Sequence, residues 1–219
     1  GGFEVIVPDW DIEIRGIENL PLLKLFAKNM VLKHRRSGKL TRTYSENLNS
    51  TSQSKRNLVE SYNLSLTNQY QPLIGLTFSI FEKITAGFDY NTSTTTKFNS
   101  QISGSKQDND RISGSLDYRL SGGFFLPNFW PFNGKYIVND VSMNLNISQQ
   151  KSVTYSFSKN EFVPGANNTS LNISPRITYS FSQNIDGGLF YKYSENRNQS
   201  SDEVTSHEFG ININLKIQN

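Results

Sequence analysis

The chain has 219 residues, 35% hydrophobic and 19% charged, with no cysteine, two histidines and a net charge of +3. That length suits one or two ordinary domains with a core. The composition excludes a helical membrane protein, because no run nears the roughly 20 apolar residues of a spanning helix. Missing thiols exclude a disulfide scaffold, thiolate metal sites and cysteine nucleophiles, and suit oxidising and reducing compartments alike. Ser, Asn and Thr make up about 30% of the chain, yet Phe numbers 15 and Tyr 10. Small polar residues with aromatics and few helix formers make a β composition. The chain starts Gly1-Gly2-Phe3, without an initiator Met or a signal peptide, and reads as mature or as a fragment of a longer protein.

In chain order, 1–28 reads as an opening strand followed by a short helix. Pro21 suits a first helical turn, and Leu22, Leu25 and Phe26 fall on one face. The remainder, 29–219, reads as about ten antiparallel strands, the first over 29–44. That strand carries the densest basic cluster, Lys33, His34, Arg35, Arg36, Lys39 and Arg42. A solvated or lumen-facing strand end explains the cluster better than nucleic-acid binding, because no nucleic-acid fold motif accompanies it. Leu58, Tyr62, Leu64 and Leu66 form a strand; Gln69-Tyr70-Gln71-Pro72 is either a turn or a bulge, since Pro cannot donate to a ladder. Ile74 to Ile80 and Ile84 to Tyr90 follow, joined by a tight turn at Glu82-Lys83. Asp108 with Asp110 reads as a turn.

Strict alternation then takes over. Ile112, Gly114, Leu116, Tyr118 and Leu120 oppose Ser113, Ser115, Asp117 and Arg119. Val141, Met143, Leu145 and Ile147 oppose Ser142, Asn144, Asn146 and Ser148. Val153, Tyr155 and Phe157 oppose Thr154, Ser156 and Ser158. Leu171, Ile173, Ile177, Tyr179 and Phe181 oppose Asn172, Ser174, Arg176, Thr178 and Ser180. Phe209, Ile211, Ile213, Leu215 and Ile217 oppose Gly210, Asn212, Asn214, Lys216 and Gln218.

A soluble sandwich would also alternate. Three features favour an all-β, antiparallel transmembrane barrel. The apolar stripes of four or five positions match strands of about 9–11 residues crossing a bilayer. Polar positions continue beyond the stripe, as in Thr92 to Thr96. Short connections (Gln149 to Lys151, Gln183 to Asp186) alternate with long polar ones (Lys159 to Thr169, Glu195 to Val204), as periplasmic turns and outer loops do. On this reading Asn144, Asn146, Asn172, Arg176, Asn212 and Asn214 face the lumen. Between Ser121 and Gly134, Phe124, Phe125, Phe129, Trp130 and Phe132 crowd together. They read as an aromatic girdle with a folded loop, or as a partner or lipid contact at a barrel opening.

No catalytic set emerges. His34 and His207 are the only histidines, far apart and without companion ligands. There is no nucleophile elbow, P-loop or dinucleotide fingerprint. Asp9 with Asp11, and Asp202 with Glu203, lie in polar surroundings that give no reason for pKa tuning. The chain reads as a non-enzyme needing no cofactor.

Val7-Pro8-Asp9-Trp10 followed by Gly16-Ile17-Glu18-Asn19-Leu20-Pro21 resembles the opening of the last part of SprA/Sov proteins. Leu25 to His34, Tyr70-Gln71-Pro72-Leu73-Ile74-Gly75-Leu76, Asn139-Asp140-Val141, Ser174 to Tyr179 and Phe190-Tyr191 are similar to later motifs of that family, in the same order. The resemblance runs from about Val7 to the C-terminus. It implies the C-terminal portion of the type IX secretion translocon, a very large barrel in the outer membrane of Bacteroidetes and relatives. That barrel exports folded cargo bearing C-terminal signal domains and supports gliding motility in some members. Implied partners are outer-membrane lipid, the cargo, a plug protein and a PorV-type shuttle barrel, with no nucleic acid. Two departures stand: the chain is far shorter than a whole translocon, and it ends on Asn219 rather than an aromatic. A self-contained porin or receptor barrel, and a soluble β-sandwich binding module, remain alternatives.

Overall fold

A computed structural model describes residues 8–21, 23–25, 27–47, 59–80, 83–99, 103–121, 123–125, 128, 133–182, 184–199 and 201–215. The described chain is nearly all strand: β1 (Trp10–Arg15), β2 (Lys28–Asn47), β3 (Val59–Ile80), β4 (Ile84–Asn99), β5 (Gly104–Leu120), β6 (Phe124–Phe125), β7 (Tyr136–Ile137), β8 (Val141–Ser158), β9 (Glu161–Ser182), β10 (Ile185–Asn198) and β11 (Ser201–Leu215). Nine of them form one antiparallel sheet in the order β1-β2-β3-β4-β5-β8-β9-β10-β11, with β6 and β7 paired separately. Each strand therefore neighbours the next along the chain, the simplest up-and-down order. The sheet is open, with β1 and β11 as its outer strands. Its antiparallel all-β character is what the alternation predicts.

Several boundaries differ from the sequence reading. Gln149 to Lys151 is no turn but the middle of β8, 18 residues long. The ladder is continuous through these three residues, with Gln149 opposite Ile112 and Leu171. Lys159 to Thr169 is no long loop either: Lys159 and Asn160, at φ 51° and 65°, make a two-residue turn, and β9 begins at Glu161. Two consecutive left-handed residues match the right-handed twist of the strands they join. Glu195 to Asn198 belong to β10 and Ser201 to Val204 to β11, and Asp108 and Asp110 lie inside β5. Polar side chains on both faces look like a loop by composition, but hydrogen-bonded neighbours keep the backbone extended.

Gln69 to Pro72 is a bulge within the 22 residues of β3. The register moves from Tyr70↔Thr92 to Ile74↔Tyr90, so β3 carries two extra residues there. An even insertion keeps parity, and Leu64, Leu66, Ile74, Leu76 and Phe78 stay on one face. These two merged pairs leave eight long strands among the described residues where ten are expected. The expected helix is two 3-10 turns, Ile17–Asn19 and Leu23–Leu25. Pro21 forces the preceding Leu20 to extended geometry, φ −64° and ψ 138°, which cuts the segment in two. Leu22 and Phe26 lie outside the described residues.

Conventional interior is nearly absent. Among the described residues Ala27, Met30 and Val141 are the buried hydrophobics, and no side chain is completely enclosed.

Candidate functional site

The register assigns every strand position to one of two faces, because directly opposed residues project to the same side. One face is apolar across the sheet. Ile12 and Ile14 sit opposite His34 and Leu32, and Leu32 opposite Leu76. Leu76 pairs with Phe88, Phe88 with Gly114, and Leu116 with Leu145. Ile147 pairs with Ile173, Ile177 with Leu189, and Leu189 with Ile211. This face is open: Ile12 is 48% exposed, Phe88 42%, Ile177 44% and Ile213 67%. No second layer covers it among the described residues.

Above the apolar rows the same face becomes polar and aromatic, and the strands continue. Thr94 Oγ1 donates to Asp108 at 2.7 Å, and Lys106 pairs with Asp108 at 3.1 Å. At the boundary Arg36 is 4% exposed, between Trp10 (5.2 Å) and Tyr70 (5.9 Å). It donates to the Pro8 carbonyl and to Asn68 Oδ1, each at 3.1 Å. His34 Nδ1 donates to the Leu73 carbonyl at 2.7 Å and stacks on Trp10. The basic cluster of β2 is therefore not one solvated strand end. Alternation places Lys33, Arg35 and Lys39 on the other face, where Arg35 pairs with Asp11, while Arg36 is enclosed. Near the opposite edge Tyr191 Oη and His207 Nδ1 are hydrogen-bonded at 2.7 Å.

The reverse face is Ser, Asn, Thr and charge, and carries all six residues expected to line a lumen. Asn144 lies opposite both Asp117 and Arg176; Asn172 opposite Ser148 and Ser194; Asn212 opposite Gly188; and Asn214 opposite Asp186. Asn144 Nδ2 donates to Asp117, and Asn146 Nδ2 donates to Asn144 Oδ1 at 2.5 Å. Ser194 Oγ donates to Asn172 Oδ1 at 2.9 Å. Arg176 lies over the Phe190 ring at 5.7 Å, an aromatic on the polar face that the alternation did not single out. Asn212 Oδ1 is enclosed over Gly188 with no hydrogen-bond partner among the described residues. Two concavities, of about 400 and 490 Å³, are lined chiefly by residues of this face.

β5 ends and β8 begins at the apolar end of the sheet, where β3 and β9 also end. Phe124 and Phe125 form β6, paired with Tyr136 and Ile137. Phe125 is 73% exposed and meets Tyr136 at 4.8 Å between ring centroids. Phe129, Trp130 and Phe132 lie outside the described residues. No group of three or more potential metal ligands occurs among the described residues. The chain matches no protein-family model and no curated protein.

Proposed function

We propose that this chain is a section of an outer-membrane β-barrel wall, the C-terminal part of a type IX secretion translocon. Its apolar face would meet lipid, and its Ser/Asn/Thr face a wide pore through which folded cargo passes. The observation that carries the membrane reading is the uncovered apolar face, which runs over all nine strands of the sheet. From Ile112 to Leu120 the stripe runs eight steps, about 27 Å at 3.4 Å per residue. A strand tilt of about 40° turns this into about 20 Å of height, close to the outward band of such barrels. Trp10, Tyr70, Tyr90 and Tyr193 stand near the upper rim, where amphipathic rings favour an interface. Among the described residues β1 and β11 have no strand on their outer side, and unpaired backbone is costly in lipid. This favours a larger wall over a self-contained barrel. The translocon assignment rests on the ordered motifs from Val7 to Tyr191. A wall of hydroxyls and amides exchanges hydrogen bonds readily with water and offers cargo little apolar surface to stick to.

Paired substitutions test the two faces. Leu145→Arg and Ile213→Arg are expected to cost about 2–4 kcal/mol or abolish assembly into lipid, whereas Asn144→Arg and Asn212→Arg assemble normally. Heat-modifiable gel migration after membrane extraction reads the outcome. Equal effects on both faces, or a water-soluble monomer that unfolds cooperatively, overturn the membrane reading. Deleting the gene should abolish secretion of proteins with C-terminal signal domains; undiminished secretion overturns the translocon reading alone.

A further inference from the structure

We propose that the polar face carries an oxyanion-binding site centred on Arg111, for a phosphate or carboxylate group. A concavity of about 490 Å³ there is lined by Gln71, Asn91, Ser93, Asn109, Arg111 and Gln150. The register explains why they meet: Asn91, Arg111 and Gln150 lie in one row across β4, β5 and β8, and Ser93 and Asn109 are opposed in the next row. Gln71 enters from the β3 bulge, whose two extra residues push the chain out of the ladder at this level.

The chemistry of the lining is one-sided. Four carboxamides and a hydroxyl supply donors, and the guanidinium of Arg111, exposed on this face, supplies a planar, permanently charged fork suited to a planar or tetrahedral oxyanion. Arg111 makes no ion pair among the described residues, unlike Arg35 with Asp11 or Arg197 with Glu195 and Glu203. The carboxylate one row below on the same face, Asp89, is turned toward Gly75, its Oδ1 2.8 Å from where a Cβ there would stand. Asp110 adjoins Arg111 in sequence but projects to the other face, toward Tyr90, whose Oη donates to Asp110 Oδ1 at 3.4 Å. Among the described residues no aromatic ring lines the concavity, which disfavours a neutral sugar stacked on a platform. The site stands on the geometry of this face and holds whether or not the opposite face meets lipid.

The test uses the full chain in its native assembly, with side-chain amides of Asn and Gln labelled with nitrogen-15. Inorganic phosphate and, separately, glucuronate are titrated while the resonances of Asn91, Asn109 and Gln150 are followed. Saturable shifts at these three are expected, weakening with added salt. Arg111→Gln should reduce the affinity at least tenfold, Arg111→Lys should retain part of it, and Arg176→Gln should leave it unchanged. Retention in Arg111→Lys separates loss of the charge from loss of the fold. Absence of saturable shifts, or equal binding by Arg111→Gln, overturns the site. Response to one probe alone assigns the preferred oxyanion.

Discussion

Single residues hold the sheet together where backbone or side chain crosses a glycine. Gly75 is buried beside the β3 bulge, and a Cβ there would stand 2.7 Å from Pro72 Cγ and 2.8 Å from Asp89 Oδ1. A proline ring cannot swing aside, so Gly75→Ala is expected to destabilise the chain by about 1–3 kcal/mol. Gly114 is the contrasting case, with the nearest neighbour of a Cβ, the Gly87 carbonyl, at 3.9 Å. Gly114→Ala adds apolar surface without a clash and restrains the unfolded chain, and should stabilise by about 0.4–1 kcal/mol. Urea unfolding of both variants in one detergent compares them; the opposite order would refute the assignment of space at these positions.

Hairpins are the working elements, and their tips matter more than a loop reading implies. The Lys159–Asn160 turn sets the register of β8 with β9, and Phe157 and Phe162 pack behind it with ring centroids 5.2 Å apart. A β-branched residue is poorly accommodated at φ 51°. Lys159→Val should therefore cost about 1–2 kcal/mol, whereas Lys159→Asn should be neutral or better. Hydrogen exchange at Ser156 to Val163 reports the effect, which should be largest there and leave the apolar rows unchanged. Phe98 meets both rings at 5.7 Å, so the loss should extend to β4 but not to the apolar rows.

At the scale of the molecule, one sheet is divided by height as well as by face. Strands of 16 to 22 residues, such as β4 and β9, exceed what an apolar band requires. Their surplus lies at one end only, beyond Tyr90 and Ile112. In the membrane reading this surplus stands in water as a hydrogen-bonded collar above the lipid. Phe88→Arg should then cost about 2–4 kcal/mol, while Thr94→Arg, on the same face but higher, should be tolerated. Membrane-assembly yield measures both. Equal loss at the two heights would place the whole face in one environment.

The parity of side chains was legible in the sequence alone. A two-residue period follows from strand geometry, and it put Asn144, Asn146, Asn172, Arg176, Asn212 and Asn214 on a single face without any knowledge of pairing. Length and ends were not legible. Gln149, Gln150 and Lys151 are polar whether they turn or extend, and only the ladder to Arg111, Ile112, Ser170 and Leu171 keeps them in β8. The same holds for the bulge at Gln71-Pro72, where pairing with both neighbouring strands resumes on either side and keeps β3 a single strand. The surroundings of Arg111 were not legible, because Asn91 and Gln150 are distant from it in sequence and meet it only through register. Alternation is a property of one strand and is written locally; which strands neighbour, where they stop and what they gather are properties of hydrogen bonds between them, and those only the tertiary structure decided.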